Sequence, residues 1–191
     1  MTLTVYLAGP EVFLPDGAAV IEAKRRILEE NGFAPAAPPS DLGPVGGGTP
    51  TERGMEISRR NEELIAAADV CLANLTPFRG LSADVGTVYE LGLAAGWGKH
   101  VAAYTNDLRQ YLDRVAELEG SRRPLRCVEG KVWDSEGMMV EDHGLRDNLM
   151  LEGGLALRES AMVVAPTRVE DPARDLEIYT DAVRRLARHL L

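Results

Sequence analysis

Val70-Cys71-Leu72-Ala73, a loop punctuated by Pro77 and Gly80, Ser82-Ala83-Asp84-Val85-Gly86-Thr87-Val88-Tyr89-Glu90-Leu91-Gly92, and then His100-Val101-Ala102-Ala103-Tyr104 decide the fold. Two short apolar runs flank a helix of small residues that continues through Leu93-Ala94-Ala95-Gly96-Trp97. That is the pattern of a parallel strand–helix–strand unit. Asp84 falls at the helix start and Glu90 nearly two turns further on. The helix start follows the carboxyl end of a strand, where α/β proteins place ligands. Two readings of the pair stand side by side: Asp84 caps the helix and Glu90 is solvated, or the two carboxylates serve a site. A Glu in an otherwise apolar helical turn favours the second, because an unpaired buried carboxylate is costly.

The same alternation extends in both directions. Leu3-Thr4-Val5-Tyr6-Leu7-Ala8-Gly9 reads as a buried first strand ended by Gly9-Pro10. Residues 18–31 show helical spacing and stop at Asn31-Gly32, and Phe33 to Ala37 makes a second strand. Pro38 to Pro50 is a Pro/Gly-rich loop, and a helix from about Thr51 to Ala68 follows, with Thr51 as candidate cap. Beyond Tyr104 the pattern breaks. Residues 106–147 hold a charged helical piece near 107–119, the basic stretch Arg122-Arg123-Pro124-Leu125-Arg126, and a hairpin around Val132-Trp133 and Met138-Met139-Val140. A helix from about Leu145 to Arg158, a fifth strand Ala161-Met162-Val163-Val164-Ala165 and a terminal amphipathic helix over 173–190 complete the chain. The expected fold is α/β: a three-layer sandwich with a five-stranded parallel sheet, order 2-1-3-4-5, and helices on both faces. The expected organisation is a single domain over residues 1–191, with an insertion at about 106–141.

Composition narrows the function classes. A net charge of −9 argues against a phosphate-backbone binder, so no nucleic-acid partner is expected. No apolar run nears the roughly 20 residues that cross a bilayer, and the first residues lack a leader pattern, so a cytoplasmic protein without a membrane partner is expected. Cys71 and Cys127 have no metal or redox spacing, and the three histidines, His100, His143 and His189, are scattered. Neither a metal site nor a Ser-His-Asp triad is supported. Leu7-Ala8-Gly9-Pro10 is no GxGxxG, since Pro10 removes an amide donor, and the chain has no GxxxxGK[ST]. Conventionally bound NAD and ATP are disfavoured, and no cofactor is expected.

Tyr6, Asp69, Asp84 and Glu90 are the polar groups expected to converge at the sheet edge, with Phe13 in the first loop. Asp69 equally suits a cap of the preceding helix or a solvated position. The Tyr6 ring suits the core, but a buried hydroxyl then needs a partner, and a carboxylate is a good one. A carboxylate held beside a Tyr hydroxyl can attack a sugar anomeric carbon through an oxocarbenium-like transition state. A second acid near the leaving group can protonate it.

Val5-Tyr6-Leu7-Ala8-Gly9-Pro10-Glu11-Val12-Phe13, Ala68-Asp69-Val70, Thr76-Pro77-Phe78-Arg79-Gly80, Asp84 through Gly92, and Asn148-Leu149-Met150-Leu151 occur in that order. Together they resemble the nucleoside 2-deoxyribosyltransferases, within the flavodoxin-like group that also holds the deoxynucleoside monophosphate N-glycosidases. The resemblance covers about residues 3–104 and resumes near 143–151. It implies double displacement: Glu90 attacks C1′ of a 2′-deoxynucleoside, expels the base and carries the deoxyribosyl group to a second base. It also implies that Tyr6 orients Glu90 and that Asp69 exchanges a proton with the base. Asp84 then holds the sugar hydroxyl, and Asn148, from a neighbouring subunit with Met150 close by, holds it too. Phe13 packs on the base, Gly9 lies in the substrate loop, and Ser40-Asp41 resemble a base-edge contact. The implied partners are nucleosides and free nucleobases in a homo-oligomer with shared sites.

The monophosphate hydrolases resemble the chain less, because they carry Ser at the Asp84 position as part of a phosphate pocket. A carboxylate about 4 Å from a phosphate is repelled by about 1 kcal/mol even in water. An N-glycoside hydrolase using the same Glu is the alternative enzyme, and a nucleoside-binding module is the non-catalytic one. Arg79 has no assigned role, and Asn74 stands where relatives often have Asp.

Overall fold

A computed structural model of the chain describes residues 2–36, 48–120 and 123–191. Strand β1 (Thr4–Ala8) leads through a 3₁₀ turn at Pro10–Phe13 into α1 (Gly17–Glu30), and β2 (Ala34–Ala36) follows. Helix α2 (Pro50–Ala67), β3 (Val70–Asn74), α3 (Val85–Gly96) and β4 (His100–Thr105) continue the alternation. Helix α4 (Tyr111–Glu119) and the short strands β5 (Arg126–Val128), β6 (Lys131–Trp133) and β7 (Met139–Val140) come next. Helix α5 (Leu149–Ala156), β8 (Met162–Val164) and α6 (Glu177–Leu190) end the chain.

The main sheet has the order β2-β1-β3-β4-β8, and every pairing is parallel. This is the expected 2-1-3-4-5 order, with β8 as the fifth strand. β1 is the switch point, because the chain leaves it first toward β2 and later toward β3.

Strand periodicity sorts the core into two halves. Val5, Val70, Leu72, Tyr104 and Val163 point to one face, where Leu28 of α1 and Tyr179, Val183 and Leu186 of α6 cover them. Tyr6, Ala8, Cys71, Ala73, Val101 and Ala103 point to the other, under Ile65 of α2, Leu91 and Ala94 of α3, and Leu155 of α5. Central strand β3 is buried at all five positions, as an apolar run covered on both faces requires.

Several boundaries differ from the sequence expectation for identifiable reasons. Thr49, not Thr51, caps α2: its hydroxyl accepts from the Glu52 N–H while the Glu52 carboxylate accepts from the Thr49 N–H, and Pro50 opens the first turn. The 107–119 helix starts only at Tyr111, because Asp107 accepts from the Arg109 N–H in a local turn. The 145–158 helix is shortened to α5 by its cap Asn148. The 173–190 helix is shortened to α6, since Arg174 and Asp175 belong to a turn on the Asp171 carbonyl. The expected hairpin is β6–β7, and β5 extends it to a three-stranded antiparallel sheet. The stretch 37–47, with Ser40 and Asp41, lies outside the described residues.

Candidate active site

Tyr6 and Glu90 meet beneath the carboxyl edge of the sheet. Tyr6 is fully buried, and its hydroxyl donates to Glu90 Oε1 across 2.7 Å. Strand β1 sends Tyr6 toward α3 because residue 6 alternates with the inward-facing Val5 on the opposite side. Asn61 of α2 adds a longer contact, Nδ2 to the same Oε1 at 3.4 Å. Burial pushes the Glu90 carboxyl up to about 7, the two hydrogen bonds pull against that, and the Asp84 charge adds to it. Glu90 is therefore held about half ionised near neutrality. Burial and the Glu90 charge together push the Tyr6 phenol far above its ordinary value, so Tyr6 stays a donor.

Asp84 caps α3: its Oδ2 accepts from the Thr87 N–H at 2.9 Å and from the Thr87 hydroxyl at 3.0 Å. The capping reading and the site reading are thus compatible, because Oδ1 takes no part in the cap. A half-buried carboxylate at a helix N-terminus is also favoured by the helix dipole.

Asp69 does not join this group. Its Oδ2 accepts from the Thr4 N–H at 2.8 Å, its own N–H donates to the Thr4 carbonyl, and its carbonyl accepts from the His100 N–H. It is exposed and ties the starts of three parallel strands together at the amino edge of the sheet, opposite the edge where α3 begins. A residue that precedes a parallel strand has to lie there, which corrects the expected convergence.

Phe13 stands half exposed in the first loop and stacks on Phe78, with ring centroids 5.3 Å apart and planes 20° apart. The Arg79 guanidinium sits 5.0 Å from the Phe13 ring and 4.8 Å from the Phe78 ring, a cation–π role the sequence did not suggest. Gly9 has extended backbone (φ 174°), so its conformation does not demand glycine. Space does: a Cβ there would lie 2.1 Å from Glu11 Oε2.

Asn148 is exposed and caps α5, accepting from the Met150 N–H at 3.0 Å and donating to Glu141 Oε1 at 2.8 Å. Met150, 70% exposed, lines an apolar groove with Val88, Leu91 and Ala95 of α3. Within one chain, then, Tyr6, Asn61 and Glu90 form a contiguous cluster, with Asp84 electrostatically coupled to it. Asn61 is the residue that sequence reasoning missed. Its one signal was an uncharged amide among the charged residues Arg59, Arg60, Glu62 and Glu63 of α2. Its Oδ1 is buried and has no hydrogen-bond partner among the described residues.

Residues 5–150 match the family model described as nucleoside 2-deoxyribosyltransferase. The chain belongs to this family. Its sequence is 30% identical over 158 residues to an uncharacterized protein of Schizosaccharomyces pombe, covering 78% of this chain and 75% of that one. Its fold is similar to that of a solved 2-desoxiribosyltransferase from Leishmania mexicana, with TM-score 0.65, 29% identity and 99% of each chain covered. A conserved protein from Enterococcus faecalis V583 shares the fold at TM-score 0.55 and 18% identity, over 97% of this chain and 99% of that one. The family's sheet and flanking helices are those described above. Among the described residues, no helix is long and apolar enough to cross a membrane.

Proposed function

We propose that this family member is an active nucleoside 2-deoxyribosyltransferase with Glu90 as nucleophile. The observation that carries the reading is the 2.7 Å hydrogen bond from the buried Tyr6 hydroxyl to Glu90 Oε1. Tyr6 and Asn61 converge on that one oxygen, which leaves Oε2 for the sugar. Oε2 attacks C1′ of a 2′-deoxynucleoside, the C1′–N bond breaks, and its electron pair leaves with the base. The product is a deoxyribosyl ester of Glu90. The ring nitrogen of a second base then attacks C1′, the ester bond breaks, and the Glu90 carboxylate is restored. Two inversions give net retention, and no cofactor enters.

Asp84 Oδ1 accepts a sugar hydroxyl while Oδ2 holds the cap. Asn148 and Met150 serve the site of a neighbouring subunit, so the working form is a homo-oligomer. Phe13 and Gly9 line the substrate loop. The departing base takes a proton from solvent and the incoming base gives its ring N–H proton back to solvent; this exchange is not assigned to Asp69.

The test is chromatography of the protein with thymidine or deoxyinosine, with and without adenine. Deoxyadenosine formed only when adenine is present supports transfer. Free base released without new nucleoside would make the protein a hydrolase, and no turnover with any donor would remove the enzymatic reading.

A further inference from the structure

A charged pair is buried where the segment after β4 returns to the site. Arg114 of α4 and Asp147, just before α5, are each 3% exposed, and Arg114 Nη2 lies 3.7 Å from Asp147 Oδ2. The guanidinium gathers three chain segments by their backbone. Nε donates to the Leu81 carbonyl at 2.6 Å, Nη1 to the Arg109 carbonyl at 3.1 Å, and Nη2 to the Arg146 carbonyl. Asp147 completes the arrangement from the other side: Oδ2 accepts from the Ala83 N–H at 2.9 Å and Oδ1 from the Asn148 N–H at 2.8 Å.

The two amides held by this carboxylate belong to particular neighbours. Ala83 immediately precedes Asp84, the cap of α3, and Asn148 is the cap of α5. One side chain therefore sets where both helices begin, and Arg114 sets where that side chain sits. Anchoring a loop alone does not require this, because a desolvated ion pair is often no more stabilising than apolar packing of the same volume. An ion pair whose hydrogen bonds all go to backbone supplies register, since the planar fork of Arg and the two oxygens of Asp admit few other arrangements.

We infer that Arg114 and Asp147 are positioning residues for substrate binding, through which the segment after β4 fixes the placement of Asp84 and Asn148. The inference rests on the transferase reading in so far as Asp84 and Asn148 handle the sugar. The geometric part, that the pair holds Ala83 and Asn148, stands apart from it.

The experiment uses Asp147→Asn, Arg114→Lys and Arg114→Met in the full chain, each alone and combined with Asp84→Asn/Asn148→Ala. Asp147→Asn cannot accept both amides and should raise KM for the deoxynucleoside donor roughly tenfold or more while kcat changes less. Arg114→Lys keeps the charge but not the fork and should fail to restore KM. If the pair acts through Asp84 and Asn148, adding Asp147→Asn to the Asp84→Asn/Asn148→Ala protein should cost little further; additive losses would overturn the inference. Amide hydrogen exchange gives the second readout. In Arg114→Met the Ala83 and Asn148 amides should lose protection while β3 amides keep theirs, and unchanged protection at both would overturn the inference. If the wild-type protein turns over no donor, the transferase reading fails, and the exchange measurement still decides whether the pair positions these two residues.

Discussion

The Tyr6 hydroxyl reaches Glu90 Oε1 across 2.7 Å, joining the middle of β1 to the second turn of α3. That bond explains how a half-buried carboxyl is kept where it can react. Desolvation raises its affinity for a proton, and the Tyr6 donor limits the rise, so the group sits at about 7 and not higher. As the proposed nucleophile, Glu90 would be ionised in a useful fraction near neutral pH and would lose its charge at little cost on forming an ester.

The same displacement makes Glu90 a source of pH-dependent stability. Its folded value, about 7, lies above the ordinary 4.5, so the folded state binds the proton more tightly than the unfolded chain. The associated stability is fully present below pH 4.5 and is lost as pH rises through 7. Glu90→Gln keeps the shape and removes the titration. Denaturant melts should find it more stable than wild type at pH 8 by roughly 1–3 kcal/mol, with the gap closing below pH 4.5. The variant should have no transfer activity, and equal melting at both pH values would contradict the assigned environment.

Tyr6→Phe removes the donor that favours the ionised form of Glu90. The pH midpoint of kcat/KM should then move above about 7, and at pH 7 the value should fall by about tenfold or more. The pH profile is the measurement, since loss of the hydroxyl for reasons of packing alone would lower the plateau without moving the midpoint.

Asp69→Ala separates the edge assigned by the structure from the one expected from sequence. Asp69 is exposed and its carboxylate holds the Thr4 N–H. Its loss should cost about 1 kcal/mol of stability or less and leave kcat/KM for base exchange essentially unchanged. A large fall in kcat with normal melting would return Asp69 to the chemistry.

Much of this was legible before the structure. Val70–Asn74 and the helix start after Asp84 stand where the apolar run and the capping residue put them. Tyr6 was paired with a carboxylate by the need of a buried hydroxyl for a partner. Asp69 is near β3 in sequence but precedes a parallel strand, and that places it at the amino edge of the sheet, away from the ends that face α3. Asn61 was illegible because its importance comes from a contact between α2 and α3 that no local pattern encodes. The Arg114–Asp147 pair escaped for the same reason, as it joins segments separated by 33 residues of chain. Strand β5 starts at the last residue of the basic stretch and is only three residues long, too short to show period-2 alternation.

The loop after β1 carries the last prediction. Lys24 of α1 is buried and donates to Glu11 Oε1 and, at 2.6 Å, to the Tyr104 hydroxyl, and Asn74 Nδ2 reaches the same Glu11 oxygen at 2.7 Å. Burial opposes the Glu11 charge, but Lys24 and these hydrogen bonds outweigh it and hold the carboxyl below its usual range. This network lies on the face of the sheet away from Glu90, yet it occupies the space beside Gly9. Lys24→Met strands a buried carboxylate and should cost about 3–5 kcal/mol, partly recovered when Glu11→Gln is added. Gly9→Ala instead drives a methyl into Glu11 Oε2, and because that group is pinned by Lys24 and Asn74, the Gly9-Pro10 loop has to give way. Melting should fall in both single variants. If the loop binds substrate, Gly9→Ala should also raise KM for the donor, whereas a folded Lys24→Met/Glu11→Gln protein should keep KM near wild type. An equal KM effect in the two would mean that the network, and not the Gly9 loop, sets donor binding.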